Sequence, residues 1–492
     1  MYFIGYDIGS SSIKATLLDG HNNREVCSSQ YPKTEMSMIA HHPGWAEQKP
    51  ETWWSHVQEA TKDILSLSQV NKEDIKAIGI SYQMHGLVVV DEDLKALRPS
   101  IIWCDSRAVP YGDKAQSILG ESYCQDHVLN SPGNFTAAKL GWIKAQEPEL
   151  YSKIHAFMLP GDYIALRLSG EATTTYSGLS EGVLYDFKSN DVSKPVLEAL
   201  GLDSSLVPKI VPTFGRQVAV SAQAAAELGL AEGTPITYRA GDQPNNALSL
   251  NVLKPGELAA TAGTSGVIYG VNDTLASDKL SRVNAFAHVN HTAEQKRIGI
   301  LLCINGTGIL NAWLKKITNG SSYVEMNQAA ERVPIGAEGL MIFPFGNGAE
   351  RILQNKEIGS SIHGLSFNTH GQGHLYRAGQ EGIACSLAYG AEVMGTLGLT
   401  SKVIRAGEAN LFLSDLFQEA VANLTGATIE LYNTDGAQGA ARGAGIGLGH
   451  YTFDDAFDGL HLRKRIEPTP EKSAQYKELY GRWKEALTNT LQ

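Results

Sequence analysis

Cysteine is scarce. The chain carries Cys27, Cys104, Cys124, Cys303 and Cys385, scattered, odd in number and without a Cys-x-x-Cys pair. That excludes a disulfide framework and a thiolate zinc site, and it fits the reducing cytoplasm. Long apolar runs are missing as well. No stretch reaches the length needed to span a bilayer, so no membrane partner is expected. The first residues run straight into a strand pattern, without the basic region, apolar core and cleavage site of a secretory leader. No lysine- or arginine-rich block occurs either. The formal net charge of −11 is spread along the chain, which argues against nucleic acid as a partner. A G-x-G-x-x-G fingerprint after the first strand is absent, and a Rossmann oxidoreductase is excluded with it.

Glycine, by contrast, is abundant, at 50 of 492 residues. In a chain without low-complexity sequence this predicts many tight turns and close backbone approaches. The length exceeds what one hydrophobic core serves and predicts two large domains. The segment Tyr238 to Gly270 concentrates the chemistry. A β-type run, Pro235 to Arg239, stops at Ala240-Gly241, and Asp242 follows at once. A carboxylate just past a strand end is a common place for a catalytic base. About twenty residues on, Gly263-Thr264-Ser265-Gly266 packs glycines and hydroxyls into a turn between two strand-like runs. Freed N–H groups and hydroxyls in such a turn suit phosphate oxygens. The same residues also fit a solvated turn aspartate followed by an ordinary hairpin.

The pattern occurs twice. Tyr2 to Ile8 and Ile13 to Leu18 form a predicted hairpin around Gly9-Ser10-Ser11-Ser12, with Asp7 before the turn and Lys14 after it. A duplicated α/β domain, each copy donating one phosphate loop, would produce this arrangement. Chance hairpins would too, since neither turn has P-loop spacing. Between them, Ile75 to Ser81 reads as a buried strand that breaks at Gln83-Met84-His85-Gly86. His85 there suits a ligand contact and a structural histidine equally well. Ile101 to Cys104 reads as a further strand that delivers Asp105 and Arg107 after Trp103. Those two side chains would either grip a polyol or pair with each other. His41-His42 lacks a third ligand at metal spacing and reads as loop. Asp162 is placed as a helix N-cap, and Ser177 to Glu181 as a polar loop. In the second half, strand, glycine turn and helix recur at 403–424 and 428–449, an edge against which a flat base would stack.

Taken in order, these segments resemble the FGGY carbohydrate kinases, and among them the xylulokinases most closely. Tyr6-Asp7-Ile8-Gly9-Ser10-Ser11-Ser12-Ile13-Lys14 is similar to that family's first phosphate motif, and Gly263-Thr264-Ser265-Gly266 to its second. Gln83-Met84-His85-Gly86 and Trp103-Cys104-Asp105-Ser106-Arg107 resemble its sugar-site segments, as do Pro43 to Gln48 and Phe135 to Trp142. Gly364-Leu365 followed by His374 to Glu381 adds a further match. The Met-His-Gly triplet points away from glycerol kinases. Three departures stand out. Gln243-Pro244 follows the aspartate where asparagine is usual, Ala406-Gly407-Glu408-Ala409 replaces a glycine run, and Arg351-Ile352-Leu353 replaces Arg-Thr-Pro. They bear on the sugar and the nucleotide rather than on phosphotransfer.

The resemblance implies an α/β, two-domain actin-like ATPase (ribonuclease H-like) fold with an interdomain cleft. Residues 1–243 would form the sugar-binding domain and residues 244–492 the ATP-binding domain. It implies Asp242 as general base, with Gln83, Met84, His85, Gly86, Trp103, Asp105 and Arg107 beside it around the sugar. ATP would lie on Gly9, Ser10, Ser11, Ser12, Lys14, Gly263, Thr264, Ser265, Gly266, Gly407, Glu408, Ala409 and Asn410. Mg²⁺ would be held by Asp7 and Asp242, directly or through water. Lys14 would add charge, or serve only as a sheet-surface lysine. The implied reaction is ATP-dependent phosphorylation of D-xylulose to D-xylulose 5-phosphate in the cytoplasm, by a chain for which the likeness also admits a homodimer. L-ribulose, L-fuculose, gluconate and glycerol stand as alternative substrates, and a non-enzymatic nucleotide-binding regulator as an alternative role.

Overall fold

Two mixed sheets, one in each half of the chain, repeat the same strand order. The computed structural model describes residues 1–320 and 322–492. The first sheet contains β1 (Tyr2–Ile8), β2 (Ile13–Asp19), β3 (Glu25–Tyr31), β4 (Ile75–Tyr82), β5 (Phe214–Ala219) and β6 (Pro235–Gly241), in the spatial order β3-β2-β1-β4-β6-β5. β1, β2 and β3 form an antiparallel meander, and β4 and β6 run parallel to β1. The second sheet contains β7 (Leu258–Ala262), β8 (Gly266–Asn272), β9 (Asn284–Ala287), β10 (Ile298–Ile304), β11 (Val403–Gly407), β12 (Thr428–Tyr432) and β13 (Leu462–Ile466). Its order is β9-β10-β8-β7-β11-β12-β13. Here too an antiparallel set, β7, β8 and β10 with β9 added at its edge, precedes two strands that run parallel to the first of them. The two glycine–hydroxyl turns therefore occupy equivalent places, one joining β1 to β2 and the other β7 to β8.

β1 and β4 read as near-continuous apolar runs because both faces of the first sheet are covered. One face packs on the helices Pro50–Ser68 and Pro160–Ser169 through Trp53, Val57, Ile64 and Ile164, all buried. The other face receives the helix Gly436–Leu448, which lies at the far end of the chain yet packs on β1, β4 and β6. Ala440, Ala441 and Ala444 bury against Phe3, Ala77 and Tyr238 there. Gly5 and Gly79 admit this helix. A Cβ on either would stand 1.9 Å from the carbonyl oxygens of Ala437 and Ala440. The helix Asp242–Ser249 leaves β6 and leads into the second sheet. No helix among the described residues is long and apolar enough to cross a membrane.

Three local expectations are corrected. Residues Tyr176–Glu181 form a helix rather than a polar loop, capped by Thr175, whose hydroxyl accepts the Gly178 N–H at 3.0 Å. Asp162 sits in the first turn of the helix Pro160–Ser169 instead of capping it, and its carboxylate accepts the Leu159 N–H at 3.2 Å. Proline at the first helical position sets that start. The strand expected over Ile101 to Cys104 shrinks to Ser100–Ile101. Ile102 and Asp105 turn away from the ladder, held by the Asp105 N–H to the Ile102 carbonyl at 3.2 Å.

Candidate active site

Three adjacent parallel strands end at one level. In register, Asp7 of β1 stands opposite Ser81 of β4, and Ser81 opposite Ala240 of β6. The chain past each end therefore meets at one edge, the usual place for ligands in sheets of this type. Gln83 is tied there by its N–H to the Ile8 carbonyl at 2.8 Å. Asp242 is the first residue of the helix that leaves β6. Burial pushes its carboxyl up to about 7, and the negative charge of Asp7 adds to the shift. Asp7 itself is pushed up to about 6, chiefly by burial and also by Asp435, although the Ser81 hydroxyl donates to it at 2.9 Å. Its carboxylate lies against Gly436, where a Cβ would stand 2.3 Å from Oδ2. Lys14 pairs with Asp435, whose other oxygen accepts the Gln438 N–H at 2.9 Å and caps the helix Gly436–Leu448. The cation at position 14 is thus engaged beside Asp7, at the helix start.

The two turns differ in support. In the first, the Gly9 N–H donates to the Ser12 carbonyl at 3.1 Å. Ser10 is fixed from two sides, by Gln48 Nε2 on its carbonyl at 2.7 Å and by Trp103 Nε1 on its hydroxyl at 3.3 Å. In the second, the Thr264 carbonyl accepts the Gly308 N–H at 3.0 Å, so the start of the helix Thr307–Ile317 lies directly behind the turn. A Cβ on Gly308 would meet the Gly263 carbonyl oxygen at 2.2 Å, and one on Gly266 the Thr307 hydroxyl at 2.5 Å. The Asn410 amide approaches from the segment after β11, its nitrogen 3.5 Å from the Cβ position of Gly263. Gly407, Glu408 and Ala409 run beside it, with the Glu408 N–H donating to the Tyr432 carbonyl at 3.0 Å and the Glu408 side chain exposed. The structure thus brings 263–266 and 407–410 together.

The sugar-side residues divide into two groups. Gln83, Met84 and His85 meet β6. Met84 is buried, its Cγ 2.6 Å from the Cβ position of Gly241, so only glycine fits beside the aspartate. His85 adopts a left-handed φ of 61° and donates from Nδ1 to the Glu181 carbonyl at 2.9 Å. Its ring lies between Phe135 and Phe286, with centroids 4.8 and 5.2 Å away. Burial, with Lys139 and Arg351 nearby, pushes it down to about 3. The imidazole is neutral, and with Nδ1 protonated its Nε2 is an acceptor. Gly86 packs on Pro160, 2.6 Å from the Cβ position. Asp105 and Arg107 take the other course that their spacing allows. Both are buried, and Asp105 accepts from Arg107 Nη2 at 2.6 Å and from the Ala46 N–H at 2.6 Å. Arg107 also pairs with Glu47 at 2.6 Å and stacks over Trp45 at 3.7 Å. Their charges are met by each other and by Glu47, while Trp103 is exposed and reaches Ser10.

Two site carboxyls escape a reading of the sequence. Glu181 is buried, with Oε2 2.3 Å from the Cβ position of Gly241, and burial with the charges of Asp242 and Asp162 raises it well above the carboxylate range. Glu350 is buried below the second turn and accepts the Asn305 and Gly306 N–H groups at 3.0 and 3.2 Å. Its neighbours Gly346 to Ala349 are the only local signal, a glycine-rich turn.

With this geometry in place, the family is decided by likeness along the chain. The N-terminal domain of the FGGY family of carbohydrate kinases matches residues 2–249. The chain belongs to the FGGY family of carbohydrate kinases. It is 30% identical to the xylulose kinase of Bacillus subtilis, over 99% of this chain and 97% of that one. Against the xylulose kinase of Escherichia coli it is 30% identical over 90% of this chain and 88% of the relative. The crystal structure of xylulose kinase from Rhodospirillum rubrum matches it with a TM-score of 0.85 at 25% identity, covering 100% of this chain and 99% of that one. This FGGY kinase accordingly has the two-domain actin-like ATPase fold that its repeated sheets express.

Proposed function

We propose that this FGGY kinase transfers the γ-phosphoryl group of ATP to the 5-hydroxyl of D-xylulose, with Asp242 as the base. Residues 1–243 hold the sugar and residues 244–492 the nucleotide, and the acceptor hydroxyl lies at the ends of β1, β4 and β6. One observation carries this reading: a carboxylate lifted to about 7 stands at the end of β6, beside Asp7 and the 83–85 segment. A base of that strength matches a working pH near neutrality, and proton removal of this kind contributes ~10²–10⁴-fold.

His85, neutral and with Nε2 as acceptor, receives a sugar hydroxyl, while the unpartnered buried Oε1 of Gln83 receives another. Met84 and Trp103 cover the apolar edge of the ketose. The turns 9–12 and 263–266 donate N–H and hydroxyl groups to the phosphates, and Asn410 orients the nucleoside side. Alignment and charge neutralisation supply most of the remaining rate, since phosphoryl transfer needs little covalent help.

Among the described residues no cluster of three or more His, Cys, Asp or Glu side chains forms a protein-only metal cage. Asp7 and Asp242 nevertheless suit Mg²⁺, which typically binds one or two carboxylates and completes its shell with water and substrate phosphates. Each is raised by burial, and Asp7 raises Asp242 further, a repulsion that a hard divalent cation relieves. When bound, Mg²⁺ supplies charge neutralisation on the β- and γ-phosphates.

The test is coupled ADP release over a panel of D-xylulose, L-ribulose, L-fuculose, gluconate and glycerol. D-xylulose is expected to give the highest kcat/KM. A higher value for another member moves the substrate to that sugar, and ATP turnover indifferent to every sugar sinks the kinase assignment.

A further inference from the structure

A cavity lies on the flank of the molecule, beside the Lys14–Asp435 pair. It has a volume of about 550 Å³ and is bounded by the β2–β3 turn, the segment between β12 and the helix Gly436–Leu448, and the approach to β13. Its floor joins the two halves of the chain. A Cβ on Gly459 would stand 2.3 Å from the Asn23 carbonyl oxygen, so the backbones touch there.

The lining is cationic on a chain whose net charge is −11. Its two carboxylates are already engaged, Asp435 with Lys14, and Glu25 with the Ser28 hydroxyl and Gln438 Nε2. Arg24, His461 and Arg463 remain exposed around the opening, and among the described residues neither arginine is ion-paired with a carboxylate. Arg24 donates from Nη2 to His461 Nε2 at 3.2 Å, so a guanidinium from the β2–β3 turn and an imidazole from the approach to β13 meet at the opening. Guanidinium forks of this kind match phosphate oxygens two at a time. The polar side of the cavity adds a second requirement. Asn23 is buried at 4% exposure and lines the space, and its Oδ1 has no hydrogen-bond partner. An acceptor left unpaired in a buried wall calls for a donor, which a ligand hydroxyl provides.

We propose that this cavity binds a small phosphorylated polyol or sugar, its phosphate on Arg24, His461 and Arg463 and a hydroxyl on Asn23. The ligand would touch both halves of the chain on the outer side of the Lys14–Asp435 pair, flanking the transfer site through residues, Arg24, His461 and Arg463, that the proposed phosphotransfer does not use.

Isothermal titration calorimetry of the full chain with ribose 5-phosphate and with inorganic phosphate tests this. Ribose 5-phosphate is expected to bind the wild type roughly tenfold more tightly than inorganic phosphate, the worth of about one hydrogen bond made in a dry site. The double variant Arg24→Gln/Arg463→Gln is expected to lose roughly tenfold or more in that affinity, since hydrogen bonds to charged groups contribute ~1.5–3 kcal/mol each. Arg463→Gln alone should give an intermediate loss. Turnover without added sugar phosphate should stay at the wild-type level in both variants, which also reports that they fold. Three results overturn the proposal: no binding by the wild type, equal affinity for the two anions, or unchanged affinity in the double variant.

Discussion

The Glu350 carboxylate accepts the backbone N–H of Asn305 at 3.0 Å, and through that bond it fixes the turn lying directly behind Thr264. Burial pushes Glu350 up to about 7, against the lowering effect of the Asn305 and Gly306 N–H groups. The ionised form accepts both N–H groups, whereas the protonated form turns one oxygen into a donor that faces them. Glu350→Gln removes the charge and, with its oxygen in the Oε1 place that accepts both N–H groups, sets an amide NH₂ against the Asn305 N–H that Oε2 accepts at 3.1 Å. The KM for ATP should rise roughly tenfold, the scale of one charge-assisted hydrogen bond, and the sugar KM should stay put. In the wild type, ATP affinity should weaken as pH falls through about 7, and the variant should lack that dependence. Equal changes in both KM values would make Glu350 a general stability residue.

Asp242 sets the pH dependence of the proposed chemistry. An ordinary aspartate is ionised above roughly pH 4, but this one, half-buried and next to Asp7, is held protonated up to about 7. As the base it must be ionised, so kcat/KM for the sugar should climb with pH to a plateau, with a midpoint near 7 at limiting Mg²⁺ that moves to lower pH as Mg²⁺ relieves the repulsion from Asp7. A profile flat from roughly pH 5 to pH 8 at limiting Mg²⁺ would remove Asp242 from that role. Stability moves the other way. Between the unfolded and folded pKa values the folded state holds the extra proton, so this group's contribution falls as pH rises through that window. Asp242→Asn should therefore melt higher than the wild type at pH 8, by an amount that shrinks toward pH 4, while turnover drops ~10²–10⁴-fold.

How far such residues can be read from the chain depends on what determines their place. Asp7, Gln83 and Asp242 are legible because each lies at or just past the end of a parallel strand, and the strands announce themselves by apolar runs broken at glycine or a polar residue. The duplicated hairpins around 9–12 and 263–266 are legible for the same reason, and the equivalent strand orders of the two sheets follow from them. Glu181 is not legible. Ser-Gly-Leu-Ser-Glu-Gly has the composition of a loop, and it becomes a helix only because Thr175 caps it and the surrounding fold buries it. Asp105 and Arg107 show the same limit. Their spacing permits a polyol grip or a mutual pair, and the choice is made by Glu47 and the Ala46 N–H, far away in sequence. Nor does local pattern reveal that the helix Gly436–Leu448 packs on the first sheet rather than its own.

His85 separates binding from chemistry. It donates to the Glu181 carbonyl and, held neutral, offers Nε2 to the pocket. His85→Ala removes that acceptor and leaves a gap between Phe135 and Phe286. The sugar KM should rise at least tenfold, about the worth of one buried hydrogen bond together with lost packing. The ATP KM should change by less than about twofold. Steady-state kinetics with each substrate varied in turn checks this, and parallel rises in both KM values would assign His85 a structural role only.

Gly436 tests whether the position of Asp7 matters independently of its charge. A methyl at this site would stand 2.3 Å from Asp7 Oδ2 and 3.2 Å from Oδ1. Neither the helix start nor β1 can retreat easily, because a few residues away the Gly5 position meets the Ala437 carbonyl oxygen at 1.9 Å. Gly436→Ala must therefore swing the Asp7 carboxylate away from the Ser81 hydroxyl, at a stability cost of about 1–3 kcal/mol, typical of overpacking. The charge inventory of the site is unchanged, so any loss of activity reports geometry alone. If Asp7 and Asp242 hold the metal together, the Mg²⁺ concentration giving half-maximal rate should rise several-fold while the sugar KM is preserved. An unaltered Mg²⁺ dependence in a folded Gly436→Ala enzyme would take Asp7 out of the metal shell and leave Asp242 to bind it without that partner.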